Sequence, residues 1–411
     1  MRAPGSRLGP DFNALFLGSL ISNTGDGIRL AALPLLAAQL TNSPVLVSAV
    51  TAAQFLPWIS VAPLGGALVD RHDRRRLILL TQASRGVVML ALALLVAADV
   101  VALWQLCVVA FVITSGEILV DPSVVALVPQ LVSDEQLDDA NARITSAEIV
   151  TNDFAGAPIG ATAFGFAPWL PFVIDAVSYV GSLVPFRRLP RDRAQREESL
   201  AAPRSSLAAE AREGLQFLRR HPVLAPLTAA TMVYYLGAAT GYSLMVLLVL
   251  ESAGGPAWSF GVVLGCGAAG AFIGTLVSGR LVRRFGTRTT LAIATGLDGL
   301  GLAALAIFPS VPLLAVVWFV GSVPAGVRIP VARSLQQRLT PNHLLGRVNV
   351  TSRMFTRGVI VVGALGSGAL ATAIGLRTTF VVGGAVEVAS AVLIARALRA
   401  IRVAGNTPVG G

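Results

Sequence analysis

Apolar runs long enough to cross a membrane follow one another along nearly the whole chain, near 12–40, 45–69, 77–98, 101–121, 143–166 and 170–187. After a polar stretch they resume near 223–250, 258–281, 289–308, 311–331, 350–374 and 377–397. A hydrocarbon core about 30 Å thick is crossed by about 20 apolar residues in a helix, so the pattern predicts an all-α polytopic membrane protein with about twelve transmembrane helices. Turn formers separate the runs: Asn42-Ser43-Pro44, Pro168 to Pro171, Gly254-Gly255-Pro256 and Pro309 to Pro312. The one long polar stretch divides the chain into a first six-helix half, 1–187, a linker, 188–222, and a second half, 223–411. Within the linker, Leu207, Ala211, Leu215 and Leu218 recur at helical spacing among charges. That spacing predicts an amphipathic helix on the cytoplasmic membrane face, joining the halves.

Composition agrees and narrows the class. Of 411 residues, 54% are hydrophobic and 13% charged, against roughly 25% charged in soluble domains, which excludes an ordinary soluble enzyme. All 32 basic residues are Arg, and with 22 acids they give a net charge of +10. The arginines do not mark a nucleic-acid surface, because they gather in short loops on one side of the predicted spans. One set of loops holds Arg71, Arg74, Arg75 and Arg76, then 187–220, 280–288, 333–347 and 396–402, while the opposite set holds Asp99, Glu251 and Arg377. The positive-inside rule then places both termini in the cytoplasm and requires an even number of spans. The apolar N-terminal stretch lacks a small-x-small cleavage site and reads as a retained first span. Cys107 and Cys266 lie in apolar runs, with neither a disulfide framework nor metal-ligand spacing. His72, His221 and His343 all fall in loops, and no phosphate-binding Gly-rich loop is present, so neither a metal, a cofactor nor direct use of ATP is expected. Abundant Ala, Arg and Gly without Lys fits a GC-rich bacterial genome, hence a bacterial cytoplasmic (inner) membrane.

The halves repeat each other. GALVDRHDRRR begins at Gly66 and GRLVRRFGTR at Gly279, an offset of 213. Pro122, Leu137 and Asn141 are matched by Pro330, Leu345 and Asn349 at an offset of 208. Duplicated six-span halves around a midplane site form a transporter architecture.

The stretch Gly66-Ala67-Leu68-Val69-Asp70-Arg71 with Arg74-Arg75 resembles the signature loop between spans two and three of the major facilitator superfamily of secondary transporters. The second copy carries Arg283 where the first has its acid. SNTGDGIRLAALPLL at 22–36, the stretch from Pro129 to Asn141, and EGLQFLRRHPVL at 213–224 are similar to the drug and siderophore exporters of that superfamily. The resemblance covers essentially the whole chain. It implies two pseudo-symmetric halves rocking about a central cavity, and outward movement of a drug, antibiotic or siderophore-like molecule in exchange for protons. An importer, or a non-transporting receptor or assembly factor on the same fold, is the alternative. The expected partners are a small-molecule substrate, protons and the bilayer, with the chain acting as a monomer.

Asp70 follows the C-terminal end of span two, where the helix dipole disfavours a carboxylate and favours Arg71 and Arg74. It is therefore expected to face another helix's N-terminus, with the start of span eleven, Arg347 to Thr351, as the candidate. Charges inside spans cost roughly 2.5–3.5 kcal/mol each on insertion scales and mark functional positions. In the first half these are Asp26, Arg29, Glu117, Asp121, Glu148 and Asp153, the candidates for proton coupling, with Asp175 nearer the outer interface. Asp26 and Arg29, three apart, share a helix face, as do Glu117 and Asp121, four apart. Glu148 and Asp153, five apart, diverge, and Asp153 lies nearer mid-membrane. In the second half the charges are Asp298, Glu387 and three arginines, Arg328, Arg353 and Arg357, candidate counter-charges in the cavity. Gly156, Pro158 and Gly160 resemble a loosened antiporter motif on span five, whose small residues and proline permit close packing and a bend. Drug–proton antiporters of the superfamily carry an Arg in span four, where this chain has Glu117 and Asp121.

Overall fold

The computed structural model describes residues 8–190, 207–341 and 344–399. Among them there are helices and no strands. The first part of the chain forms α1 (Pro10–Leu40), α2 (Pro44–Phe55), α3 (Pro57–Ser60), α4 (Ala62–Arg71), α5 (Arg74–Ala97) and α6 (Leu103–Leu131). It continues through α7 (Leu137–Glu148), a π-helical stretch Ile149–Gly156, α8 (Ala157–Phe166) and α9 (Leu170–Phe186). Next come α10 (Leu207–Arg220), α11 (Leu224–Leu247) with a π-helical end Leu248–Ser252, and α12 (Ala257–Ala304). The chain closes with α13 (Val311–Leu339), α14 (Leu345–Ile374) and α15 (Leu376–Ala397).

Local chemistry sets the helix ends. Prolines stand in the first turn of α2, α4, α8, α9 and α13, where a missing N–H breaks no helical bond. Asp73 caps α5 by accepting from the Arg76 N–H at 2.7 Å. Among the described residues seven helices are long and apolar enough to cross a membrane. One of them, α12, runs for 48 residues, about 72 Å at 1.5 Å per residue and far more than one crossing needs. It breaks at Gly286, whose φ of +78° a side chain resists, and so serves as two spans. With α1, the broken α2–α4 and α7–α8 runs, and α9, the helices account for about twelve crossings.

Along the middle of α5 the outer face is apolar and the charge lies inside. On α5, Leu80, Val87, Leu90 and Leu94 are exposed, while Thr81, Gln82, Arg85 and Met89 are buried. In water that arrangement would be inverted; in a bilayer the lipid solvates the leucines and the charges must find partners within the protein.

The described residues form two compact units: 8–36 with 60–190, and 37–59 with 207–341 and 344–399. The first has a core of Phe12, Leu15, Ile78, Leu127 and Phe186. The second has one of Leu227, Leu291, Val331, Leu335 and Ile394, with α2 packed against α14. The repeat is visible in the helices themselves. Both α6 and α13 have 29 residues, and their first residues, Leu103 and Val311, stand 208 apart, the offset of the proline landmarks.

Residues Leu218 and Gly214 of α10 face protein. Leu218 is buried with Leu224, Leu344 and Val348, and Gly214 lies against the backbone of Arg347, whose Nη1 also donates to Glu213. Part of the apolar stripe expected to meet the membrane is therefore covered by α14. Of that stripe, the side chains of Leu207 and Ala211 lie outside the described residues.

His221 closes the N-terminus of α11: its Nδ1 accepts from the N–H groups of Val223 and Leu224 at 3.2 and 3.1 Å. Only the neutral ring can accept there, and burial holds its pKa below the usual histidine value. A depressed folded-state pKa contributes stability above the ordinary value of about 6.5 and loses it as the pH falls below that. Protection of the Val223 and Leu224 amides, measured relative to intrinsic exchange at each pH, is expected to fall on mild acidification. His221→Asn, which keeps an acceptor that does not titrate, should remove that pH dependence.

Candidate functional site

Four spans of the first unit bring their charges to one place. Arg29, on α1, is 3% exposed and donates through Nη2 to Asp26, 3.1 Å away, and to Glu117 of α6. Its Nε lies 3.6 Å from Asp175 Oδ2 on α9. Arg85, on α5, is 2% exposed; its Nη2 donates to Asp26 Oδ1 at 2.6 Å and to Glu117 Oε1 at 3.3 Å. Tyr179 of α9 donates its hydroxyl to Asp26 Oδ1 at 2.6 Å, while its ring carries the Arg85 guanidinium 4.2 Å above it. Gln82 extends the network: it accepts from Arg85 Nη1 at 2.9 Å and donates to Ser22 at 2.7 Å and Ser182 at 3.3 Å.

Two arginines thus face three carboxylates. Fully ionised, the cluster carries one net negative charge, and one proton neutralises it. The three acids are not equivalent. Asp26 receives three donors, and Asp175 is fully buried, with its Oδ2 left without a hydrogen bond. Glu117 is the open one, with 26% of its side chain exposed.

Close backbone packing places these groups. A Cβ on Gly116 would stand 2.7 Å from Arg85 Cδ, so the missing side chain gives the arginine its path across α6 to Glu117. Beside Asp26 and Arg29, α1 meets span five backbone to backbone. Gly27 lies against Thr151 and Asn152, Gly156 against Gly27, and Gly160 against the Ile28 carbonyl. The π-helical stretch Ile149–Gly156 lies at this crossing, and such stretches recur at functional sites. Pro158 sits in the first turn of α8 just beyond it.

The remaining expected residues are dispersed. Asp121 and Glu148 are exposed, Glu148 at the end of α7. Gly66, Asp70 and Arg71, and Asp153, lie outside the residues whose side chains are described. Arg74 is half-buried in the first turn of α5, and Arg75 donates to the Arg187 carbonyl at 2.5 Å. Asp175, placed by its sequence position toward the outer end of span six, belongs to the cluster. Sequence reasoning does not single out Arg85, Gln82 or Tyr179. For Arg85 the signal exists, since an arginine in the middle of the run 77–98 is as costly as Arg29. For Gln82 and Tyr179 no such signal exists.

In the second unit the arginines behave differently. Arg328 is buried, with its guanidinium 3.7 Å above the Tyr234 ring and 5.5 Å from that of Tyr235. Arg357 lies about 6 Å from the rings of Phe55, Trp58 and Tyr235, and Phe55 packs on the half-exposed Tyr242. Arg353 is exposed. In α12, Gly270 and Gly274 meet the carbonyls of Phe319 and Val323, a helix contact of the small-residue type.

Residues 8–407 match the model of the transmembrane secretion effector family, MFS_3. The chain belongs to that family of major facilitator transporters. It is 28% identical to the MFS-type transporter YfiS of Bacillus subtilis, covering 90% of this chain and 89% of YfiS. The multidrug efflux pump Tap of Mycolicibacterium fortuitum is 27% identical, over 91% of this chain and 92% of Tap. Macrolide efflux protein A of Streptococcus pyogenes is 23% identical, over 93% and 94%. Among solved structures, the nucleoside transporter NupG is similar with a TM-score of 0.75 at 12% identity, covering 95% of this chain and 99% of NupG. A bacterial homologue of the iron transporter ferroportin gives 0.71 at 19% identity, covering 95% and 98%. These likenesses establish the fold: an all-α, multi-pass membrane transporter of the major facilitator type.

Proposed function

We propose that the protein is a proton-coupled exporter that moves bulky, partly apolar molecules, such as drugs, antibiotics or siderophores, out of a bacterial cell by alternating access. The observation that carries the coupling is the Asp26–Arg29–Arg85–Glu117–Asp175 cluster, which has one more acid than base and one acid, Glu117, more exposed than the other two. A proton arriving at Glu117 removes the charge that both arginines face and frees them to re-pair, which biases one conformation over another. One proton moving down 100 mV supplies about 2.3 kcal/mol, enough to drive a useful gradient. Outward direction rests on the efflux relatives, since the fold is shared with transporters of other cargo. The loop arginines support the cytoplasmic membrane as the location, with both termini inside.

For the substrate, Arg357 with Phe55, Trp58, Tyr235 and Tyr242 offers aromatic faces and guanidinium donors. A planar or macrocyclic, oxygen-rich molecule would meet both. The test uses purified protein in liposomes with an imposed pH gradient, following internal pH as macrolides, amphiphilic drugs and catecholate siderophores are added. Substrate-dependent proton flux is expected for at least one class, reduced in Arg357→Ala and Trp58→Ala. Binding of a panel member without any proton flux would overturn the coupling.

A further inference from the structure

The second unit contains a buried acid that the coupling scheme above leaves unused. Glu387, on α15, is 2% exposed. Its Oε2 is buried without a hydrogen-bond partner, and among the described residues no arginine pairs with it. Its stem is gripped by glycines on two neighbouring helices. A Cβ on Gly299 of α12 would stand 2.7 Å from Glu387 Cβ, and one on Gly237 of α11 would stand 2.9 Å from its Cγ.

The charged and titratable groups around it come from each helix packed nearby. From α12 comes Asp298, 8% exposed, whose Oδ2 accepts from the Tyr234 hydroxyl of α11 at 2.7 Å. From α13 comes Arg328, stacked on Tyr234, with its Nε buried and unpartnered. On α14, Arg357 lies against the rings of Phe55, Trp58 and Tyr235. Tyr234 therefore joins the other two groups, its hydroxyl holding Asp298 and its ring carrying Arg328, while Glu387 has no ion pair of its own among the described residues. An ionised carboxylate buried without a partner is far costlier than the neutral acid.

The duplication gives a second, independent reason to group these residues. At the repeat offset of 208 Tyr179 corresponds to Glu387, at the offset of 213 Arg85 corresponds to Asp298, and Tyr234 stands on span seven as Asp26 stands on span one. In the first unit an acid on span one accepts from a tyrosine on span six. In the second, the tyrosine stands on span seven and the acid on span twelve. The same interior positions carry a polar cluster in both units, with acid and tyrosine exchanged and an acid in place of an arginine.

We propose that Glu387, beside the Asp298–Tyr234–Arg328 group, forms a second proton-binding site, in which the buried, unpaired Glu387 carboxyl holds the proton while Asp298, bonded to Tyr234, stays ionised. Proton release leaves a buried carboxylate without an ion pair, so the site gives up its proton only when the helices rearrange. Its part in a transport cycle rests on the proton-coupled reading, but its existence does not.

Infrared spectroscopy of the purified protein tests the site without any substrate. A protonated-carboxyl stretch that shifts in D₂O is expected at neutral pH, lost in Glu387→Gln and retained in Glu117→Gln. In Asp298→Asn, where Arg328 is left to balance Glu387, the band should vanish at neutral pH and return on acidification. Glu387→Gln, a neutral mimic of the protonated acid, should keep the thermal midpoint of the wild type. A neutral-pH band unchanged in Glu387→Gln, or no such band in the wild type, overturns the proposal. If these spectra fail while substrate-driven proton flux persists, the first-unit scheme stands and the second site does not.

Discussion

Arg29→Ala is expected to destabilise the protein by about 3–5 kcal/mol, the loss typical when one member of a buried ionic network is removed. Arg29 is almost fully buried and faces Asp26, Glu117 and Asp175. Without it, three carboxylates face Arg85 alone, and the fully buried Asp175 loses the guanidinium nearest to it. Equilibrium unfolding in mixed micelles would measure the loss. A second change that restores the charge count, Arg29→Ala with Asp175→Asn, should recover part of it. The contrast is Arg347→Ala, which removes a pair with Glu213 whose side chains are 34% and 50% exposed. Such a pair is worth about 0–1 kcal/mol. Equal losses in the two single variants would show that the interior cluster is not held by its charges.

The second large effect is on coupling. Glu117→Gln should leave the fold intact but abolish proton flux driven by a pH gradient, reducing it to the level of protein-free liposomes. Among the three acids of the cluster, Glu117 combines contact with both arginines and exposure to solvent. The neutral amide fixes the cluster in its protonated charge state, so the cycle loses the step in which a proton enters or leaves. Asp26→Asn should fail in another way. It removes the acceptor of Arg85, Tyr179 and Arg29 together, so stability and activity should fall in parallel. Wild-type flux and pH dependence in Glu117→Gln would place the proton elsewhere in the cluster.

Much of the architecture can be read from local pattern alone. Apolar run length fixes the number of crossings, because a bilayer of constant thickness sets the helix length. The 208-residue offset of the proline landmarks reappears as the spacing of α6 and α13, because a duplicated sequence carries its helix boundaries with it. The pairing of Asp26 with Arg29 follows from a three-residue spacing on one helix.

Pairings across helices cannot be read this way. Residues 26, 85, 117 and 175 meet because four spans pack at glycines narrow enough to bring backbones together, and a linear pattern does not encode which helix faces meet. Glu117 and Asp121 show the limit most clearly: at i and i+4 they share a face, yet Glu117 reaches the arginines while Asp121 is exposed. One helical turn displaces a side chain by 5.4 Å, farther than an ion pair spans. Sequence therefore determined the membrane fold, its duplication and the presence of costly interior charges. Tertiary packing decided which of those charges are partners, because ion pairing depends on ångström-scale distances between helices far apart along the chain.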